Sequence, residues 1–331
     1  MDIRDRKGLK AAAEQALSQA PYNPRKLALI HAGAAMALSL VLTVLNFILS
    51  RQISGTGGLG GIGLRSVLST AQSVLSIANT LILPFWEIGF VAAAIAMARR
   101  QAATPDTLLS GFRRFGPVLR LNLLQGALYV GIAFLCIQIS AGVFLITPFS
   151  DPLMKAAEQM ATTGTAFLDE AAVAALSKLI VPVYGIFAIL FCLLAIPLSY
   201  RFRMATFAIM DNEKIGALQA MSKSHKMMRY NRFSLFRLDL FFWWYYLLQG
   251  LTIVLGFTDE FLEIFGFEFF NKDVAFFGFY GIYLLCQLLL AWWLQSRVQT
   301  TYAMAYESVR PEAEDPEPAV MKNTPWDYLP Q

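Results

Sequence analysis

The chain has 331 residues, of which 56% are hydrophobic and 15% charged, with a formal net charge of +4. A soluble domain is about 25% charged and about 45–50% apolar, so this composition carries far more apolar surface than one water-soluble core needs. The net charge is small and the basic residues cluster in particular loops, which argues for a membrane-facing surface and against a nucleic-acid-binding one.

The first 26 residues hold Arg4, Arg6, Lys7, Lys10, Arg25 and Lys26, mixed with Asp2, Asp5 and Glu14. The apolar run that follows is too long for the core of a signal peptide and lacks a clean small-residue cleavage site. It is expected to stay as a membrane anchor. Residues 3–19 read as an amphipathic helix lying on the inner membrane surface and ending before Pro21.

A helix needs about 20 apolar residues to cross the hydrocarbon layer, and six stretches qualify. The first, Leu27–Ser50, has His31 as its ionisable side chain and a small-xxx-small pair, Gly33 and Ala37, suited to close helix packing. The second, Ala71–Ala98, contains Pro84 and Glu87. The third, Leu121–Thr147, is uncharged, as is the fourth, Leu179–Tyr200. The fifth, Leu240–Phe257, is short and aromatic, and the sixth is Val274–Ser296. Peptide groups in lipid must be bonded internally, which leaves helices or a closed barrel. Barrel strands alternate in polarity over about 10 residues, and these runs are continuous, so the expected fold is an all-α, polytopic membrane helix bundle of about six spans.

Between the spans lie a glycine-rich loop at Gly55–Gly63, a longer segment at 151–178, and an acidic, aromatic loop at 258–273. Alternate loops divide the Lys and Arg residues very unequally, 22 on one side and five on the other. The richer side is read as cytoplasmic, which puts both termini inside. Three domains follow: residues 1–26 as a cytoplasmic amphipathic segment, 27–309 as the transmembrane domain, and 310–331 as a disordered Pro- and Glu-rich tail. The small residues of Ala94–Ala98, Met204–Ala208 and Tyr302–Tyr306 recur where the second, fourth and sixth spans leave the membrane on one side. They hint at a parallel internal repeat.

Few residues are placed to carry chemistry. Glu87 sits about three turns of helix before the basic exit at Arg99. A carboxylate at that depth costs about 3 kcal/mol or more unless it is protonated, paired or hydrated. Pro84, one turn earlier, frees a backbone carbonyl, and a proline-broken helix with a carboxylate is a transporter-like feature. Arg201, Arg203 and Asp239 stand where the fourth and fifth spans meet the inner surface, placed for lipid phosphates or for pairing with one another. Lys223, Lys226 and Arg229 belong to a basic hairpin in which Leu218, Met221, His225 and Met228 recur at helical spacing, the pattern of an interfacial helix. Asn46, Asn79, Asn122, Gln125, Gln138, Gln249 and Gln287 suit hydrogen bonds between spans. Trp86, Trp243, Trp244, Trp292 and Trp293 suit interfacial or packing positions.

Cys136, Cys192 and Cys286 each lie in an apolar stretch, so no disulfide framework is expected. Gly55-Thr56-Gly57-Gly58-Leu59-Gly60 spells a dinucleotide-binding loop but follows a span rather than a strand. His31 and His225 have no Cys or carboxylate at metal-ligand spacing in sequence. No nucleophile–base set of a familiar enzyme class is visible. Neither a metal, a cofactor nor an enzymatic activity is expected. The expected partners are membrane lipids, anionic ones included, and a membrane protein.

The stretch from Tyr200 to Leu248 carries a family pattern. Tyr200, Met204-Ala205, Asp211-Asn212-Glu213, Ser224-His225-Lys226-Met227-Met228 and Phe236-Arg237-Leu238-Asp239-Leu240 follow one another. Asp2-Ile3-Arg4 and Ala303-Met304-Ala305-Tyr306-Glu307 fit the same pattern at the two ends. The chain resembles the bacterial integral membrane family called domain of unknown function 975. It departs at Met228-Arg229-Tyr230, where the family often has Met-Lys-Gly, and at Phe241-Phe242-Trp243-Trp244-Tyr245, where it often has Ser-Phe-Ile-Gly-Trp after the Leu. The resemblance implies a multi-span protein of a bacterial plasma membrane, with no known activity. The leading expectation is a non-enzymatic scaffold or modulator of lipids or partners; the alternative is a transporter or channel-like protein using Glu87.

Overall fold

The structure is a computed structural model that describes residues 2–55, 62–146, 170–256, 258 and 272–310. The loops expected at Gly55–Gly63, 151–178 and 258–273 lie largely, and the tail from Pro311 wholly, outside the described residues. Among the described residues there are helices and no strand. Five of the helices are long and apolar enough to cross a membrane, or six if one bent pair counts as a single span. The chain is an integral membrane protein.

In chain order the helices are α1 (Arg6–Ser18), α2 (Pro24–Gly55), α3 (Ile62–Ala98), α4 (Pro105–Leu108), α5 (Ser110–Arg113), α6 (Phe115–Ile146), α7 (Glu170–Phe202), α8 (Ala205–Asp211), α9 (Ala217–Met228), α10 (Arg232–Phe241), α11 (Trp243–Gly256) and α12 (Lys272–Leu290). A π-helical turn, Ala291–Gln295, joins α12 to α13 (Ser296–Val309). The first, second and fourth expected spans fall within α2, α3 and α7, and the third follows α6 as far as Ile146, Thr147 lying outside the described residues; each helix begins before its expected span. Hydropathy marks where water is missing, whereas backbone hydrogen bonding carries the helix beyond that boundary.

The fifth span differs from its expectation. Its 14-residue helix α11 is about 21 Å long, less than the hydrocarbon thickness, and α10 meets it at a bend of 64°. The bend falls at Phe242, whose amide bonds back to the Asp239 and Leu238 carbonyls at 2.9 and 3.3 Å. Its buried ring lies edge-on to Phe241. The sixth span runs far past Ser296, as 38 helical residues or about 57 Å.

Two compact units can be distinguished. The first holds the residues up to Leu29, Ala94–Ala103, and those from Arg229 onward. Here α1 begins with Asp5, whose carboxylate accepts from the Gly8 amide at 3.0 Å. The apolar stripe of α1, Leu9, Ala13 and Ala16, is fully buried, and α1 packs on α13. The helix is amphipathic as expected, but its apolar side is spent on protein rather than on lipid. Helices α11 and α12 pack side by side, and the Gln287 amide donates to Thr252 Oγ1 across them at 2.8 Å.

The second unit holds Ile30–Ala93 and Thr104–Met228. Helix α6 packs on α7, and α9 on α8, α7 and α6. Its tightest joint is between α3 and the α4–α5 segment. A Cβ on Gly89 would overlap the Leu108 carbonyl, and one on Gly111 the Phe85 carbonyl. The Phe85 ring stacks on Phe115 at 4.7 Å. Gly33, by contrast, has nothing within 4 Å of a Cβ position, so the small-xxx-small pair does not mark a close helix contact.

Much of the burial lies at the span exits. Ala94, Met97, Met204, Ala205, Ala208, Ala303, Ala305 and Tyr306 are all buried. Large apolar residues of the spans, such as Val130, Ile189, Leu193 and Leu285, are exposed on the protein. In a bilayer those flanks face acyl chains, which are as apolar as leucine. Small residues recur at the exits because the packing there is close.

Gly89→Ala and Gly111→Ala are each expected to destabilise the fold by about 1–3 kcal/mol or more, since backbone rather than a movable side chain blocks the methyl. Gly126→Ala and Gly131→Ala, which meet open space, should leave thermal unfolding in detergent unchanged. Equal melting temperatures for all four variants would contradict this joint.

Candidate functional site

Glu87 lies on α3 three residues after Pro84, and α3 is not broken there. Proline removes one i→i−4 bond, and a transmembrane helix survives that loss where neighbours meet the freed groups. The "broken helix" of the sequence reading is therefore an uninterrupted helix. Three residues of α3 surround His31 of α2. Trp86 Nε1 donates to the His31 carbonyl at 2.8 Å and its ring stacks on the imidazole at 5.7 Å. The Phe90 ring lies 4.6 Å from the imidazole. The Glu87 carboxylate reaches to 4.0 Å from His31 Nε2. The histidine side chain is 1% exposed and the glutamate 57%. At 4.0 Å this is the outer edge of ion-pair contact, and it is attractive only when His31 carries a proton. Read along the sequence, neither residue points to the other, because 56 positions separate them.

In the same unit, Arg201 and His225 come together. Arg201 Nε donates to His225 Nδ1 at 2.6 Å, and Ser224 Oγ donates to the Arg201 carbonyl at 3.0 Å. The guanidinium lies 5.6 Å from the Phe202 ring, and that of Arg203 lies 5.9 Å from the Tyr200 ring. His225 is thus a partner of the span-exit arginine, joining α9 to the end of α7. Lys223 is half-buried on α9 and Lys226 exposed. Arg114 is a residue that sequence reading passed over. Its guanidinium donates to the Ile209 carbonyl, and to the Glu213 carbonyl at 2.8 Å, closing the C-terminal end of α8. Burial pulls Arg114 below the ordinary arginine range, and the nearby Glu213 carboxylate acts against that.

The first unit contains Arg229 and Asp239. Asp239 accepts a hydrogen bond from Tyr302 Oη, which also lies 2.6 Å from Tyr246 Oη. The three side chains tie α10, α11 and α13 together. Arg99 at the end of α3 grips Glu307 through Nε and Nη2 at 2.9 and 2.6 Å, and Arg310 stands 3.7 Å from the same carboxylate. The motif Ala303-Met304-Ala305-Tyr306-Glu307 signalled this position in the sequence; its partner, Arg99, carried no signal.

Helix α10 shows the most distinctive surface. Leu235 and Leu238 are buried, while Phe233, Phe236, Arg237 and Leu240 are exposed on the opposite face. Phe233 and Leu240 are 62% and 57% exposed. The Arg237 guanidinium lies 4.6 Å from the Phe233 ring, and the exposed Arg229 lies 5.4 Å from Tyr230.

Among the described residues, no group of three or more His, Cys, Asp or Glu side chains is placed to hold a metal. The family model described as protein of unknown function (DUF975) matches residues 4–313. No curated protein matches the chain, and no solved structure does.

Proposed function

We propose that this chain, which belongs to the family described as protein of unknown function (DUF975), is a non-enzymatic protein of a bacterial plasma membrane that modulates anionic lipids or scaffolds a partner at its basic, cytoplasmic surface. The observation that supports the reading is the exposed face of α10. Phe233, Phe236 and Leu240 form an apolar stripe with Arg237 set among them. A short helix of this kind lies in the headgroup region, its apolar side against the acyl boundary. Its 64° bend into α11 suits a helix that turns from the membrane plane into a span. Each Lys or Arg near an anionic leaflet contributes about 1 kcal/mol of attraction. Arg229, in the same unit as α10, and Arg237 on α10 itself are exposed cations.

A transporter-like role for Glu87 remains the second reading, supported by the buried His31 beside it. An imidazole and a carboxylate side by side at membrane depth suit a proton-accepting site.

The double variant R229Q/R237Q should lower the amount of anionic lipid that co-purifies with the chain, by about tenfold in affinity. Quantitative mass spectrometry of the retained lipid measures this, and unchanged retention would remove the lipid arm of the proposal. For the second reading, Glu87→Gln should abolish proton-coupled solute flux in liposomes while thermal stability is kept. Purified wild-type protein that moves no ion or solute would eliminate it.

A further inference from the structure

Where α1 ends, α2 begins and the last span leaves the membrane, the first unit holds a cleft of about 460 Å³, within the size range of small-molecule sites. Its wall includes Ser18 and Glu14 of α1, Asn23 and Arg25 at the start of α2, and Ser296 and Arg297 at the start of α13. Among the described residues, neither Arg25 nor Arg297 forms an ion pair. Glu14 is drawn to Lys10, 3.9 Å away on its own helix, so the two arginines that line the cleft are balanced there by one shared carboxylate.

The end of α2 does not itself account for an anion site. Its first amides, of Arg25 and Lys26, already bond to Asn23 Oδ1 at 3.0 and 3.4 Å. The attraction comes from side chains. A guanidinium presents paired N–H donors that match the oxygens of a phosphate. Arg25 is also held in place, with its guanidinium 5.5 Å from the Trp292 ring.

The position of the cleft narrows the chemistry further. The apolar run of α2 starts at Leu27, and that of the final span ends at Trp292-Trp293, both of them exposed indoles. Indoles settle at the headgroup level. The cleft therefore sits at the edge of the hydrocarbon, with an apolar flank beside it for acyl chains. The π-helical turn Ala291–Gln295 directly precedes the two residues that line the cleft, and such turns recur at functional sites.

We infer that this cleft binds a phosphate group, that of a phospholipid headgroup, between Arg25 and Arg297. The inference stands apart from the α10 surface and uses none of its residues. The test is a titration of the purified full-length chain in neutral detergent with phosphatidylglycerol, phosphatidylcholine or inorganic phosphate, followed by indole fluorescence and mass spectrometry of retained lipid. Wild type should hold one phosphatidylglycerol per chain that phosphatidylcholine does not replace. R25Q/R297Q should bind it about tenfold more weakly, R25K/R297K should recover part of the loss, and R229Q/R237Q should leave this one tight lipid in place. If inorganic phosphate binds at the same arginines and displaces the lipid, the phosphate chemistry stands and the source is a soluble phosphate. Equal retention by wild type and R25Q/R297Q, with both folded by circular dichroism, would overturn the site. So would a loss that R25K/R297K does not relieve at all.

Discussion

A peptide group left unbonded in hydrocarbon costs several kcal/mol, and the rest of this structure follows from avoiding that cost. The spans in α2, α3, α6 and α7 answer it with single continuous helices, α3 even through Pro84. No requirement for a wholly dry interior at mid-membrane follows from it. Side chains such as Ile189 and Leu193 stay on the outside, where lipid matches them. Buried contacts include the packing of α1 on α13 and the joint where Gly89 and Gly111 let α3 approach the α4–α5 segment. Water competes for polar groups at these depths, so close packing and directed hydrogen bonds contribute most to specifying the fold here.

The long apolar runs were legible because hydropathy reports the absence of water directly. The family was legible too: the residues from Tyr200 to Leu248 carried it, and the family model spans residues 4–313. The bend at Phe242 was not legible, since no proline or glycine marks it; it arises from backbone bonds of Phe242 to Asp239 and Leu238. The stripe Leu9, Ala13 and Ala16 announced an amphipathic α1, but an apolar stripe has the same spelling whether protein or lipid covers it. Pairings between distant helices, such as His31 with Glu87 and Arg99 with Glu307, leave no trace in spacing along the chain. Of the residues singled out in the sequence, Arg201 and Asp239 proved to have their own partners in His225 and Tyr302. The exposed stripe on α10 became visible only once burial separated Leu235 and Leu238 from their neighbours.

The charges divide into two groups by what surrounds them. Arg99, Arg114 and Arg201 are consumed in holding helices together, each facing a carboxylate, a carbonyl or an imidazole. Arg25, Arg297, Arg229 and Arg237 face outward or into a cleft, beside aromatic rings or polar side chains that fix their direction. A basic surface that served only to orient the chain in the membrane would need no such fixation. Ordered, outward-facing guanidiniums at the headgroup level support the proposal that this surface recognises phosphate-bearing lipid.

The native Cys192 offers the most direct measurement of the central claim, because it is exposed on the protein yet lies inside the α7 span. In membranes it should resist a charged, water-soluble maleimide and become reactive only after denaturation in detergent, while a cysteine placed at Ser222 in a background free of other cysteines should react from the inner side once the cells are opened. Rapid modification of Cys192 by the charged reagent in intact membranes would mean that water, not lipid, covers the exposed flank of α7, and the account would fail.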